Sequence, residues 1–372
     1  MKMLIKEFEW KCRALRQCLS PRYHREYRKS KELFPLYTSS QKPIAFIDVS
    51  HIKLDRDGGR YAYILIKDVL ASGHHVVLAD RFGFFCSFHK RKLKQLLVNE
   101  EISRVPAKKA PADVALVVSD RARAIATALR SSPRAQSLML DYTYRNAKEP
   151  ELCFPFFPHP DLLSRGWFSS TGCSPTSRPV KVAFIGAYHS PDYDKPSLSK
   201  RFGVMTRHQT VSHLRRFYPS DRVTIATDSL FTTPLAPADM VLNEQHQRIR
   251  VENYRTLLGQ SCFFLACAGV SFPASHNLPE AMLSGCIPIL EYAEHLTPAL
   301  MDGINCLTYD DTATLEQAII KAIQMPEDER LAMQENVYAY AELHCQIGSF
   351  TRQALSDPSL HQKILLYSIT QP

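Results

Sequence analysis

The sequence predicts an α/β protein built from two doubly wound, Rossmann-like domains. Short apolar runs (IAFIDV at 44–49, HVVLAD at 75–80, DVALVVSD at 113–120, then VKVAFIG, RVTIAT, CFFLACAG and IPILEY) alternate with amphipathic helical stretches along most of the chain. That is the pattern of buried parallel strands joined by crossover helices. The alternation lapses once, between Arg145 and Arg178, where Pro, Ser and Thr accumulate, and then begins again. With 372 residues the chain is long enough for two domains.

The elements follow in order. Residues 1–42 read as a basic arm. Met3, Leu4, Phe8, Cys12, Leu15 and Leu19 fall near a helical period with Lys and Arg between them, and Pro21 is expected to end that helix. The first domain, 43–160, opens on the strand Ile44–Val49. The loop Ser50–Arg60, with Gly58-Gly59, leads into a helix at 61–73 and a strand at 75–80. A helix at 90–102, a strand at 113–120, a helix at 121–130 and a strand at 137–142 continue the series. Residues 161–178 form the linker; the aromatic run Cys153–Leu163 is too apolar to be freely solvated and is expected to pack between the domains. The second domain, 179–345, alternates strands at 180–188, 222–227, 262–269 and 287–292 with helices at 207–218, 248–260 and 278–285. Two helices close it, 312–324 and 327–344, the latter with Pro326 ahead of it and acids in its first turn. Residues 346–372 are expected as one more helix, crossing back to the first domain.

Composition removes several classes. Apolar residues make up 45% and charged residues 22%, as in a soluble globular chain. No apolar run approaches the roughly 20 residues that cross a bilayer, and the charged first twenty residues do not resemble a cleavable signal. Ten cysteines at irregular spacing, without a C-x-x-C pair, point to reduced thiols and a cytoplasmic chain. The net charge of +9 is uneven: residues 1–32 carry ten Lys/Arg against four acids, a surplus of +6. The body therefore offers no general basic footprint, and nucleic acid is not an expected partner. The arm is either a peripheral contact for an anionic membrane surface or a solvated leader.

Chemistry concentrates in Ser261–Tyr292. A strand ends in a small-residue loop, a helix begins at His276-Asn277, and Gly285 leads into the next strand. Ligands of open α/β sheets bind at such carboxyl ends of strands, and a helix start offers amides to a diphosphate. Gly269 would let backbone approach a bulky anion, with Ser275, His276 and Asn277 beside it, and Glu280 could accept the hydroxyls of a ribose. The plainer possibility is a capping box, with Asn277 as N-cap and Glu280 at the third helical position. Arg250 and Tyr254, one turn apart on the preceding helix, and Arg201 and Arg207, after the first strand of the domain, are further candidates for diphosphate.

The run Pro279-Glu280-Ala281-Met282-Leu283-Ser284-Gly285-Cys286-Ile287-Pro288-Ile289 resembles the nucleotide-sugar-binding segment of GT-B glycosyltransferases, whose pattern is Glu-Ala-Met/Leu-x-x-Gly-x-Pro-Val. With Pro298 farther on, it is most similar to the exostosin-like branch. The resemblance implies two Rossmann-like domains facing each other across a cleft, the second holding a UDP- or GDP-linked sugar and the first a glycan or lipid-linked acceptor. Glu294 would then meet the transferred sugar. Many retaining members carry a second glutamate eight positions before the one matched by Glu280; here that position is Phe272. The comparison thus implies an inverting enzyme without a metal or other cofactor, whose base comes from the first domain and whose leaving diphosphate is balanced by basic side chains. Asp57, Asp55 and His51, on the loop with Gly58 and Gly59, are the candidate bases, and His159 is a candidate on the acceptor side. Polysaccharide synthesis for a cell envelope or capsule is the expected setting. A non-catalytic relative that binds glycan or protein, and a sugar-nucleotide epimerase, are the competing accounts.

Overall fold

The computed structural model describes residues 12, 15–50, 52–107, 109–142, 151–168, 178–232, 235–243, 249–270, 272–356 and 361–365. The chain divides into two compact units, one made of Met1–Phe154, Pro160–Arg165 and Ile347–Ile369, the other of Pro155–His159, Gly166–Gln346 and Thr370–Pro372.

The first unit is built on a seven-stranded parallel sheet. Its strands are β1 (Ile44–Asp48), β2 (His75–Asp80), β3 (Ile102–Pro106), β4 (Val114–Ser119), β5 (Gln136–Asp141), β6 (Leu152–Cys153) and, from the end of the chain, β13 (His361–Leu365). They lie in the order β3-β2-β1-β4-β5-β13-β6. Every residue of β1 is buried, as a strand covered on both faces requires. The chain changes direction across the sheet between β1 and β4, so the carboxyl ends of these strands form its switch point.

Two expectations fail here. Residues 90–102 are not one helix but short turns at Phe88–Lys90, Lys92–Gln95 and Leu96–Asn99, followed by β3. As expected, the helical residues 15–19 stop at Ser20, ahead of Pro21; Pro21 also opens the next helix, Pro21–Lys31, from the first helical turn, where its missing N–H is no loss. The end of the chain is not a single helix. It forms a short one, Ser349–Ala354, and then β13, which pairs in parallel with β5 and β6.

A buried carboxylate fastens that returning segment. Asp68, on the Arg60–Ala71 helix, accepts the amides of Gly348 and Thr351 and the Thr351 hydroxyl, the last at 2.6 Å. Gly348, in the left-handed region at φ 91, is the N-cap of the Ser349–Ala354 helix, so the cap comes from another part of the chain. Asp68→Ala strands three buried donors and is expected to lower the unfolding free energy by about 3 kcal/mol or more. Urea titration reads the loss, and hydrogen exchange should show β13 deprotected first; a loss below about 1 kcal/mol would mean the cap is dispensable.

The second unit carries a six-stranded parallel sheet of β7 (Val180–Phe184), β8 (Val223–Ala226), β9 (Ala238–Asn243), β10 (Ser261–Leu265), β11 (Ile287–Leu290) and β12 (Leu307–Thr308). Its order is β12-β11-β10-β7-β9-β8, with the switch point between β7 and β10. β9 and β12 escaped the sequence reading, the first half-masked by polar neighbours and the second only two residues long. Crossover helices at Arg207–Phe217, Val251–Gly259, Asn277–Leu283, Thr312–Gln324 and Glu327–His344 complete it. Among the described residues no helix is long and apolar enough to cross a membrane.

Candidate functional site

Arg207 marks the switch point of the second sheet. Thr206 caps its helix in a capping box with Gln209, which fixes the first turn. From there the buried Arg207 side chain reaches the loops after both central strands: Nε donates to the Ala268 carbonyl and Nη1 to the Ala187 carbonyl, each at 3.1 Å. Its guanidinium also stacks over Tyr193 at 4.6 Å. Asn277 Nδ2 donates to the Ile185 carbonyl at 3.3 Å, and Asn243 exchanges hydrogen bonds with both backbone groups of Gly186. The two loops are thus held by side chains, with a fixed cation between them.

Glu280 is fully buried and saturated with donors. Oε1 accepts the His159 amide at 2.8 Å and His276 Nδ1 at 2.9 Å, and Oε2 accepts the Tyr254 hydroxyl at 2.8 Å. An ionised carboxylate only accepts, so Nδ1 of His276 carries a proton. Burial alone would raise the Glu280 pKa. The charge and hydrogen bond of His276, with the bonds from His159 and Tyr254, outweigh it and hold the carboxyl below its usual range. Burial and the adjacent Glu280 charge push the Tyr254 phenol far above its ordinary value. Arg207 acts on that phenol in the opposite sense, which places the cation within electrostatic reach of the cluster.

The capping-box reading is corrected. The N-cap of the Asn277–Leu283 helix is His276, no side chain caps it, and Glu280 sits at the fourth helical position, turned back toward His276. His159, expected on an acceptor-side loop of the first domain, belongs to the second unit and serves Glu280 through its amide. Gly269 is a glycine for the protein's own sake: a Cβ there would lie 2.5 Å from the Phe272 carbonyl, whose neighbour Pro273 accepts the Gly269 amide. Ser275 Oγ donates to Asn277 Oδ1 at 3.4 Å. Arg250 and Tyr254 do not act together. Arg250 is 77% exposed and paired with Asp228 at 3.5 Å, while Tyr254 turns to Glu280. Arg201 is exposed with its guanidinium over the Phe202 ring, and Glu294 is exposed beside His295.

Glu291 was missed, although an acid directly after the buried strand IPIL is a readable signal. Its Oε2 accepts the Met205 amide at 2.7 Å, two residues before Arg207. Burial, with Asp310 and Asp311 nearby, raises its pKa to about 7, a value common at functional sites.

The first unit separates the candidate bases. Asp55 does not lie on an open loop; it is buried in a 3-10 turn, Ile52–Asp55, where it pairs with the equally buried Lys94 at 2.8 Å and accepts the Ser87 hydroxyl. It is therefore sequestered from any acceptor. Asp57 is 57% exposed, held by Arg60 Nε at 3.0 Å. Asp57, Gly58 and Gly59 follow one another in the left-handed region, at φ 51, 68 and 87, a strained run for its one non-glycine. A Cβ on Gly59 would lie 2.6 Å from Lys94 Cβ, so that glycine seats the turn on the buried lysine. His51 lies outside the described residues. At the switch point of this sheet, sequence reasoning overlooked Asp48, bound by Arg81 Nε at 2.6 Å, and Asp120, which accepts the Ser50 amide at 2.9 Å and the Tyr142 hydroxyl at 3.1 Å.

No protein-family model matches the chain, and no curated protein matches it in sequence. Several solved structures resemble it in architecture. A glycosyltransferase from Rickettsia africae is 11% identical, covering 85% of this chain and 97% of its own, with a TM-score of 0.42. HepE from Anabaena, solved with UDP, is 13% identical over 86% of this chain and all of its own, at 0.44. The N-terminal domain of trehalose-6-phosphate phosphatase from Candida albicans is 8% identical over 88% and 99%, at 0.43. At these levels the likeness assigns neither a substrate nor a residue role.

Proposed function

We propose that the protein is a nucleotide-sugar glycosyltransferase of GT-B type, with the donor held at the switch point of the second sheet. The observation that carries this reading is Arg207, a buried guanidinium fixed between the loops after β7 and β10 and within electrostatic reach of the Tyr254–Glu280–His276 cluster. A preorganised cation at the carboxyl edge of a parallel sheet is suited to the diphosphate of a UDP- or GDP-linked sugar. The sequence around Glu280 and Pro288 supports the same assignment. Arg207 would stabilise the charge that develops on the leaving diphosphate, so the reading needs no metal or other cofactor. Asp57 or His51 would take the proton from the acceptor hydroxyl as it attacks the anomeric carbon, with inversion. Exostosin-like kinship, a hexosyl group, a glycan or lipid-linked acceptor, and cell-envelope or capsule polysaccharide synthesis in the cytoplasm belong to the same reading.

One observation favours a second reading. Glu280 already has three donors, and its carboxylate would have to give one up to hold a ribose; a non-catalytic binding protein on the same scaffold would keep all three. A thermal-shift screen with UDP, GDP, CMP and their sugars separates the two. Stabilisation by a nucleoside diphosphate is expected, and Arg207→Ala should weaken that binding by about 100-fold, the worth of a strong charge-assisted contact. No response to any of these ligands would sink the donor site; binding without transfer to any acceptor would favour the second reading.

A further inference from the structure

The Pro21–Lys31 helix is docked to the first unit by one stripe. Tyr23, Glu26, Tyr27 and Ser30, spaced as one helical face, point inward. Tyr27 packs on Phe82 and its hydroxyl donates to the Asp80 carbonyl; Glu26 pairs with His89 at 3.2 Å; Lys90 lies over the Tyr23 ring at 4.6 Å. Lys31 reaches Asp80 at 3.3 Å. The helix therefore lies against the carboxyl end of β2, at the edge of the sheet where ligands of this architecture bind.

Its opposite face is basic and, among the described residues, unpartnered. Arg22, Arg25, Arg28 and Lys29 are all exposed, and Arg16, just upstream, is exposed with them. Between residues 15 and 31 the one acid is Glu26, which faces inward to His89. Just upstream in the chain, across the break at Ser20, two leucines are exposed, Leu15 at 59% and Leu19 at 74%. Both tyrosines of the helix are turned inward and the His24 ring packs against Phe82 at 4.7 Å, so among the described residues the helix offers no unoccupied ring on which a base could stack.

We propose that this face docks the protein on an anionic lipid bilayer. A cationic face with exposed leucines a few residues upstream matches a charged interface over hydrocarbon, whereas a nucleic acid has no use for the leucines. The contact differs from an amphipathic helix that folds into the membrane: the helix is already formed, its aromatic side is spent on the protein, and the outward face is electrostatic. It stands independently of the donor-site reading. If both hold, the bilayer lies beside the acceptor edge of the first sheet.

Flotation of the full chain with phosphatidylcholine vesicles, with and without phosphatidylglycerol, tests it. Binding is expected only to the anionic vesicles and should fall steeply as salt rises. Each cation removed should weaken it about five-fold, so Arg22→Gln/Arg25→Gln/Arg28→Gln/Lys29→Gln should lose roughly 100-fold or more. The thermal midpoint and any nucleotide response should stay as in the parent, which separates this surface from the donor site. Equal binding to neutral vesicles, salt-insensitive binding by the parent chain, or full binding by the quadruple variant overturns the proposal. So does a patch-dependent preference for duplex DNA or polyglutamate over anionic vesicles. The salt series needs no variant, so the test survives a misfolded one.

Discussion

Asp55→Ala is expected to lower the unfolding free energy by about 3–5 kcal/mol, the cost of leaving a buried charge without its partner. Lys94 is almost wholly inaccessible, with its ammonium 2.8 Å from Asp55, bonded to the Phe84 carbonyl and 3.8 Å from the centre of the Phe84 ring. Burial drives the Lys94 pKa down, and Asp55 pulls it back up. Without Asp55 the lysine must lose its proton or drag water into the core. Because a buried ion pair pays heavy desolvation, replacing both partners, Asp55→Leu with Lys94→Met, is expected to recover most of the loss. Urea titration of the two variants beside the parent measures this; a single-variant loss below about 1 kcal/mol, or a double variant as weak as the single, would show that the pair does not seat the turn. The same pair supports the Asp57-Gly58-Gly59 run through Gly59, so Asp55→Ala should also loosen the strained segment that carries Asp57.

Glu280→Gln should be nearly as severe, at about 2–3 kcal/mol, because its amide nitrogen must meet a donor on one side or the other. The pH dependence carries a second signature. The folded-state pKa of Glu280 lies below the unfolded value of 4.5, so its contribution is fully present above that pH and is lost as pH falls through the lowered value. Asp68 has the opposite sign. Burial lifts it from 3.8 to about 6 against the pull of its hydrogen bonds, so its contribution is complete below the unfolded value and is lost as pH rises through about 6. Glu280→Gln should therefore flatten the acid limb of the stability profile, and Asp68→Asn the limb between roughly pH 4 and 6. A profile that Glu280→Gln leaves unchanged would mean that the carboxyl is not held ionised by His276 and Tyr254.

The switch-point residues show how far the sequence could be read. Arg207 and Glu280 were both legible, the one because it follows the first strand of the second domain and the other because it begins a helix after a buried strand. Asp48, Asp120 and Glu291 were just as legible in kind, each an acid at or just after the end of an apolar strand run, but nothing in their neighbours singles them out. What the sequence could not reveal was who donates to whom. Asp55 and Asp57 stand two positions apart in one polar loop, yet one is sealed against Lys94 and the other is open to solvent. His159 and Glu280 are distant in sequence, and their hydrogen bond exists because residues 155–159 belong to the second unit rather than the first.

The basic arm divides in the same way. Its surplus charge and the spacing of its tyrosines are properties of the chain alone. That Tyr23 and Tyr27 turn inward while Arg22, Arg25 and Lys29 turn out follows from packing against Phe82, His89 and Lys90, residues some 60 positions away. Local pattern determined the strands, most of the crossover helices and the α/β class, because hydrophobic periodicity and turn chemistry act over a few residues. Only the tertiary structure decided strand order, the return of β13 to the first sheet and the fate of each carboxylate. Those depend on which distant groups are buried together, where an unpaired charge or donor costs more than any local preference can offset.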